Sequence, residues 1–173
     1  MNHILLTASR FRVESVERTA PDGSVRRREV VRHPGAVTIL PMVDRDHVCL
    51  IRNYRVSVAR TLIELPAGTL EKDEDPAHTA HRELIEETGY RAGRMEKMHE
   101  FLLSPGILDE RMHLYLATEL TAGAAQREPG EEIDNLVVPW ATAIEWVLKG
   151  QIEDAKTLVG LLLYDALRKS KPE

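Results

Sequence analysis

The amino-acid sequence predicts an α/β fold in which helices cover a mixed β-sheet on both sides, an α/β/α sandwich. Short apolar runs bounded by turn residues are typical of strands, and they lie on either side of one clear helix in the middle of the 173-residue chain. Two further helical segments follow the last predicted strand. Strands interleaved with helices in this order bury their apolar faces when they form layers.

The central helix is predicted to begin after Asp75 and to end at Gly89. The carboxylate of Asp75 can accept hydrogen bonds from the free amides of the first turn, and Pro76 loses no hydrogen bond at the first helical position. Glycine is the usual residue for the left-handed conformation that ends a helix. A small apolar stripe that can pack on a sheet consists of Ala77, Ala80, Leu84 and Thr88.

Three carboxylates share another face of this helix. Glu83, Glu86 and Glu87 lie at helical offsets of zero, three and four residues, so their side chains project in similar directions. Because like charges at this spacing repel, the cluster is either a solvated face or a binding site for a hard cation. The cations Mg²⁺, Mn²⁺ and Ca²⁺ all prefer oxygen ligands.

The chain is predicted to have two parts, a β-rich appendage over residues 1–33 and a main domain over residues 34–173. A turn over residues 21–24 and a return strand over residues 25–31 predict a β-hairpin in the appendage. The arginines Arg26 to Arg28 indicate a solvated hairpin face or a dimer contact. A nucleic-acid patch is disfavoured because no aromatic residues are interleaved with them.

The main domain is predicted to contain six strands and two helices besides the central one. The sequence before the central helix predicts a loop that returns the chain from a strand, and residues 121–130 form a polar loop. The predicted strands cover residues 36–43, 47–53, 61–65, 95–103, 111–119 and 135–138. The later helices are predicted over residues 139–148 and 154–168.

Composition excludes several classes of protein. A formal net charge of −5 and a pI near 5.8 argue against a general nucleic-acid binder. No apolar run is long enough for a membrane span, and the N-terminus lacks the pattern of a signal peptide, so we expect a cytoplasmic protein without a membrane partner. Cys49 is the single cysteine and is expected to be buried, without a disulfide in the chain.

The spacing of charged and glycine residues around the central helix matches a known motif, the Nudix box, throughout. Seven fixed identities at set spacing arise by chance in a chain this long on the order of once in a million, which excludes coincidence. Tyr90 departs from the aliphatic residue usual at the last position, and this affects packing only. The seven residues are Gly68, Glu74, Arg82, Glu83, Glu86, Glu87 and Gly89, and Leu84 also fits the motif.

The chain therefore resembles a Nudix hydrolase, an enzyme that cleaves a nucleoside diphosphate linked to another group. The resemblance implies a site for Mg²⁺ or Mn²⁺, with two or more ions, and it implies that Arg82 orients a glutamate. The implied metal ligands are the carbonyl of Ala67 and the carboxylates of Glu83, Glu86 and Glu87. Physical reasoning agrees, since a pyrophosphate and an acidic protein repel each other unless cations neutralise both.

Segments outside the box resemble the ADP-ribose pyrophosphatases of this family. They are LIRNYR and IELPAG before the box, and SPGILDE and GQIEDAKTL after it. An arginine at the position of Arg55 can pair with a phosphate or stack on adenine; the alternative is an exposed charge at a strand end. Pro105, 16 residues beyond Gly89, fits the subfamily but also fits an ordinary turn. The substrate-binding residues that the resemblance implies are Arg55, Glu64, Gly68, Pro105 and Glu110.

The general base is predicted to lie outside the box. A glutamate bound to cations has a lowered pKa and accepts protons poorly, whereas an efficient base has a pKa near the working pH. Related pyrophosphatases take a glutamate from the loop before the last strand. Here Glu128, Glu131 and Glu132 are available, and Glu131 is preferred because it precedes the Glu-Ile pair that begins this strand.

The predicted reaction is hydrolysis of ADP-ribose or a related nucleoside diphosphate sugar to AMP and ribose 5-phosphate. Alternatives are another sugar nucleotide, such as GDP-mannose, or a sensor of the Nudix fold that binds a nucleotide without cleaving it. The complete set of box glutamates disfavours the sensor. The protein is also predicted to be a homodimer, because a hairpin of about 30 residues is too small to be stable alone. Glu64 and Arg26 to Arg28 are candidate contacts between subunits.

Overall fold

The N-terminal segment forms a three-stranded antiparallel sheet of its own in the computed structural model, which describes residues 3–127, 130 and 132–170. Its strands are β1 (His3–Thr7), β2 (Arg12–Thr19) and β3 (Val25–Arg32). The sequence predicted the hairpin of β2 and β3 but not β1, whose residues show no alternation of apolar and polar side chains and are all exposed. The boundary after residue 33 and a role of this sheet in dimerisation stay predictions.

The main sheet is mixed and has four strands in the order β7-β4-β9-β8. Strand β4 runs parallel to β9 and antiparallel to β7, and β8 is antiparallel to β9. All six residues of β4 are buried, as expected for a strand that is covered on both faces. The strands are β4 (Ala36–Pro41), β7 (Ala67–Thr69), β8 (Arg91–Leu102) and β9 (Arg111–Thr121).

A second, antiparallel sheet has the order β10-β5-β6. Its strands are β5 (His47–Arg55), β6 (Arg60–Glu64) and β10 (Ile133–Pro139). Each strand predicted for the main domain is therefore found. Strand β7 is additional: the sequence predicted a loop there, because three residues are too few to show the alternation of a strand.

Three α-helices complete the layers: α1 (Pro76–Glu83), α2 (Trp140–Leu148) and α3 (Ala155–Ser170). Both α1 and α3 pack on β4. Val37 and Ile39 of β4 belong to an apolar cluster with Leu84, whereas Leu40 belongs to a second cluster with Leu161 of α3. Because successive strand residues point to opposite faces, the two clusters lie on opposite sides of β4 and form the sandwich.

The buried residues fit the predicted core. Cys49 is buried as predicted, and burial raises the pKa of its thiol to about 12. Gly160 of α3 lies so close to Leu65 that an added Cβ would be 2.6 Å from its Cδ1 atom. The absence of a side chain at Gly160 therefore lets α3 lie directly against the segment that follows β6.

In the part of the chain that the structure describes, no helix has the length and apolar character needed to cross a membrane.

Candidate active site

A cleft of about 700 Å³ brings together the predicted box residues. The lining residues from the box and from the position directly before it are Ala67, Gly68, Arg82, Glu83, Glu86 and Glu87. The helix α1 begins as predicted, with Asp75 accepting hydrogen bonds from the amides of Ala77 (2.8 Å) and His78 (3.3 Å). An N-cap of this kind contributes about 1 kcal/mol to helix stability. It defines where the helix starts, and hence which way the glutamates near its end project.

The segment before the helix contacts the glutamates through its backbone. The amide of Ala67 donates a hydrogen bond to Oε2 of Glu87 at 2.9 Å, and the side chain of Glu87 is nearly buried. A Cβ atom at Gly68 would lie 1.9 Å from the carboxylate of Glu83. This position therefore requires glycine because the Glu83 carboxylate lies directly against its backbone, and not because of an unusual φ.

Arg82 is the centre of the charge network. Its Nη1 donates to Oε1 of Glu83 (2.8 Å) and to Oε2 of Glu86 (2.9 Å), and its Nε and Nη2 donate to Glu74 at 3.3 and 3.2 Å. Burial alone would lower the pKa of Arg82, but the bonds and charges of these carboxylates raise it overall. The hydrogen bond from Arg82 in turn lowers the pKa of Glu74 to about 2. One guanidinium thus orients the three glutamates and holds Glu74 ionised.

The helix does not continue in α form to Gly89. Residues Leu84–Thr88 form a π-helical turn, which ends at Gly89 with φ of 79°. The left-handed stop was predicted, but the π turn was not, because apolar periodicity does not report one inserted residue. Turns of this kind are frequent at functional sites, and here the turn contains Glu86 and Glu87.

The carbonyls at the end of the π turn are satisfied by distant residues. The amide of Gln126 donates to the carbonyl of Glu86 (2.9 Å), and Nε of Arg127 donates to that of Glu87 (3.1 Å). The side chain of Asn135 donates to the carbonyl of Thr88 (2.7 Å). The loop after β9 is therefore fastened to the box helix as far as Arg127.

The donor set suits a hard divalent cation. It consists of carboxylate oxygens with the carbonyl of Ala67 nearby, and the bare backbone of Gly68 admits the Glu83 carboxylate. Among residues 3–127, 130 and 132–170, no three His, Cys, Asp or Glu side chains are already arranged as a metal site. Glu83 and Glu86 are instead hydrogen-bonded to Arg82. The predicted metal ligands stay a prediction.

Histidines on α1 do not contribute to this site. Both His78 and His81 are exposed. His78 contacts Glu74 across one helical turn, with Nδ1 and Oε1 separated by 2.9 Å.

The other predicted binding residues are divided between the cleft and its surroundings. Arg55 and Glu110 line the cleft. Glu64 is only 1% exposed and lies behind Arg55, to which it is hydrogen-bonded at 2.8 and 2.6 Å. Pro105 is exposed in the turn after β8 and is not among the cleft residues. Direct substrate contact by Glu64 and Pro105 is therefore not supported by their positions.

The predicted general base, Glu131, and the alternative Glu128 lie outside the described residues. The third candidate, Glu132, does line the cleft. Arg127, just before these residues, is hydrogen-bonded to the box helix through the carbonyl of Glu87.

Sequence reasoning missed several cleft residues. Asn53 and Tyr54 precede Arg55 within the segment that resembled the subfamily, and Asp154 and Lys156 belong to another such segment, so the resemblance was a usable signal. Arg10, between β1 and β2, also lines the cleft, and nothing in its sequence context indicated this.

Comparisons with known proteins agree with this architecture. An ADP-ribose pyrophosphatase of Bacillus subtilis (strain 168) is 40% identical over 164 residues, which are 92% of this chain and 88% of the relative. A GDP-mannose pyrophosphatase of Cronobacter sakazakii is 40% identical over 153 residues, 82% of this chain and 80% of that protein. A crystal structure of an ADP compounds hydrolase superposes with a TM-score of 0.83 at 25% identity, covering 97% of this chain and 94% of the other.

The solved structure confirms the predicted fold, a Nudix-type α/β/α sandwich. The NUDIX domain profile matches residues 32–159, a range that contains the box helix, β5, β6 and the start of α3. The predicted family is therefore confirmed: this chain belongs to the Nudix hydrolase family, whose members are pyrophosphohydrolases.

Proposed function

We propose that the protein hydrolyses the pyrophosphate bond of ADP-ribose or a closely related nucleoside diphosphate sugar, giving AMP and ribose 5-phosphate. The observation that supports this most is one cleft containing both the box glutamates and Arg55. An acidic cluster and a guanidinium in one cleft suit a diphosphate that arrives with divalent cations. ADP-ribose is preferred because a relative similar over 92% of this chain is named ADP-ribose pyrophosphatase.

Mg²⁺ or Mn²⁺, with two or more ions, is proposed as the cofactor, held by Glu83, Glu86, Glu87 and the carbonyl of Ala67. When bound, these cations would neutralise the diphosphate and lower the pKa of the attacking water. The chain's own contribution is orientation. Arg82 keeps the glutamates on the cleft side of the helix, and Arg55 offers planar donors to the phosphate oxygens.

The proton of the attacking water is proposed to go to a glutamate of the loop that follows Arg127. This loop is fastened to the box helix at its start, and Glu132 lines the cleft at its end. A carboxylate that swings from such a loop stays free of direct cation binding, which a base requires. Glu131 remains our preferred residue, as predicted from the sequence.

The protein is further proposed to act as a homodimer through its N-terminal sheet. This sheet exposes large apolar side chains, which a second copy of the chain would cover in a dimer: Ile4, Leu5, Leu6, Phe11 and Val25. Light scattering should give the mass of two chains. A stable monomer with full activity would exclude the dimer. A cytoplasmic location also stays a prediction.

A substrate panel tests the proposed reaction. ADP-ribose, GDP-mannose, coenzyme A and diadenosine polyphosphates are incubated with and without Mg²⁺, and the products are identified by chromatography. We expect the highest kcat/KM for ADP-ribose, with AMP and ribose 5-phosphate in equal amounts. A kcat/KM for GDP-mannose about tenfold above that for ADP-ribose would reverse the assignment within the enzyme class. Binding without turnover of every compound would favour the sensor.

A further inference from the structure

Behind the cleft wall at Arg55 lies a row of alternating charges. Arg55 donates from Nε to Oε1 of Glu64 (2.8 Å) and from Nη2 to Oε2 (2.6 Å). On the far side of this carboxylate, Nζ of Lys156 donates to Oε2 at 2.5 Å. Asp154 lies 2.9 Å from the same ammonium group. Asp154 and Lys156 also line the cleft, so the row follows the cleft wall from Arg55 to the start of α3, with Glu64 buried behind it.

Burial changes along this row. The side chain of Glu64 is 1% exposed and that of Lys156 is 8% exposed, whereas Arg55 is 38% exposed and lines the cleft. Burial alone would raise the pKa of Glu64, but the hydrogen bonds and charges of Arg55 and Lys156 lower it overall. A buried carboxylate with two cationic partners is therefore ionised at neutral pH, and it holds Arg55 firmly.

The geometry leaves part of the guanidinium available. The bidentate contact with Glu64 occupies Nε and Nη2 of Arg55, and within the described part of the chain Nη1 has no hydrogen-bond partner. Because a guanidinium is planar, fixing one edge fixes the direction of its remaining donors. Those donors belong to a side chain that lines the cleft, so they suit an anionic ligand there.

Lys156 sets the charge behind Arg55. Without its ammonium group, Arg55 would have the two negative charges of Glu64 and Asp154 behind it, and the row would carry a net charge of −1. With Lys156 the row is neutral and its positive end lies at the cleft, which favours an anion.

The start of α3 holds Lys156 in place. The hydroxyl of Thr157 accepts a hydrogen bond from the amide of Leu65 at 2.8 Å and donates to Asp154 at 2.6 Å. Gly160 lets the same helix lie against Leu65. Lys156 is therefore fixed relative to the residue that directly follows Glu64.

We propose that Glu64 and Lys156 are positioning residues that orient the guanidinium of Arg55 for binding of the substrate's diphosphate. This inference rests on the proposed function, in which the cleft takes a nucleoside diphosphate. Glu64 then acts through Arg55, in place of the direct substrate contact that the sequence predicted.

A double-mutant cycle on KM tests the inference. Glu64→Gln and Lys156→Met are made in the wild type and in Arg55→Met. The matched control is Lys149→Met, at an exposed residue directly after α2. We expect each single variant to raise KM for ADP-ribose about tenfold with kcat changed less than about threefold. In the Arg55→Met background neither should raise KM further by more than about twofold. Additive effects in that background, or a fall in kcat at unchanged KM, would overturn the inference.

Folding is controlled in the same series by thermal denaturation. The variant carrying both Glu64→Gln and Lys156→Met removes the two opposite charges together, so it leaves no unpaired charge of this buried pair. This double variant replaces a single variant that does not fold. Its KM should again rise about tenfold in the wild-type background and should not rise in the Arg55→Met background.

A binding measurement separates this inference from the proposed function. If the wild type cleaves no sugar nucleotide, the proposed function fails, and the cycle is repeated on the Kd of inorganic pyrophosphate by calorimetry. Weaker binding in Glu64→Gln and Lys156→Met, dependent on Arg55, would still support the positioning role. Absent binding to the wild type, or equal Kd values in all variants, would overturn it.

Discussion

Among the arginines that line the cleft, Arg55 and Arg82 differ in how the carboxylates around them are organised. Arg82 contacts Glu74, Glu83 and Glu86, all from one contiguous stretch around the box helix. Arg55 is held by a buried carboxylate, Glu64, whose other partner comes from 92 residues further along the chain. The carboxylates around Arg82 are 11% to 28% exposed, whereas the carboxylate that holds Arg55 is only 1% exposed. The comparison suggests that one side of the cleft performs chemistry and the other side orients the substrate.

The largest expected effect concerns the box glutamates on the Arg82 side of the cleft. Glu83→Gln and Glu87→Gln should each lower kcat by at least about 100-fold, since each removes a proposed metal position. Steady-state kinetics with Mg²⁺, together with activity in excess EDTA, measures this. The control is Glu145→Gln, an exposed glutamate on α2 that pairs with Lys149. Near-normal rates in both box variants, or full turnover in EDTA, would contradict the assignment.

Variants in the loop after Arg127 test whether the general base lies outside the box. Glu131→Gln should lower kcat about 100-fold while the Kd values for substrate and metal stay nearly unchanged, because only proton transfer is lost. Single-turnover kinetics and calorimetry measure the two quantities. If Glu128→Gln, Glu131→Gln and Glu132→Gln each keep more than about half of the wild-type kcat, a box glutamate must be the base.

A change at Gly68 tests whether the carboxylate geometry matters beyond its charge. Gly68→Ala places a Cβ atom where the Glu83 carboxylate now lies, so this carboxylate must move. A displacement of about 1 Å at a reacting group lowers rates by about 100-fold, and we expect a fall in kcat of about 10- to 100-fold. Gly106→Ala is the matched control, because no atom lies within 4 Å of its added Cβ. Equal kcat in the two variants would show that Glu83 has room to adjust.

The smallest expected effect is on stability and depends on pH. The folded-state pKa of Glu74 is about 2, below its ordinary value of 4.5, because Arg82 donates to its carboxylate. This carboxylate therefore contributes stability that is fully present above about pH 4.5 and is lost as the pH falls towards 2.

Glu74→Gln should accordingly lower Tm by about 2–4 °C at pH 7, and the difference from wild type should shrink towards pH 2. Calorimetry at a series of pH values measures it, with exposed Glu71→Gln as the control. A Tm difference that does not depend on pH would contradict this, because the loss of the negative charge would then not be its cause.

Sequence reasoning succeeded where the information is local. The cap at Asp75, the stop at Gly89 and the grouping of the box glutamates depend on spacing within one helix and its preceding loop, and all are found. Strand β7 and the π turn were missed because a three-residue strand and a single inserted residue leave no periodic signal.

Contacts between residues that are far apart in the sequence could not be predicted either. The contacts of Glu64 with Arg55 and Lys156 were not predicted, because the contact with Lys156 exists only after β6 and α3 have packed. Its predicted contact with the substrate or the other subunit stays a prediction. Arg10 reaches the cleft through the placement of the N-terminal sheet, which no single stretch of sequence determines.

The hydrogen bonds from Gln126, Arg127 and Asn135 to the box helix have a consequence for redesign. Gln126 and Arg127 precede the span of residues 128–132 and Asn135 follows it, so the helix end is anchored from both sides of this span. Residues inserted or exchanged between Arg127 and Ile133 should leave both anchors, and hence the helix end, intact. Segments grafted there from relatives with other substrates should keep a glutamate at position 131, so that a new specificity is tried without rebuilding the box or losing the proposed base.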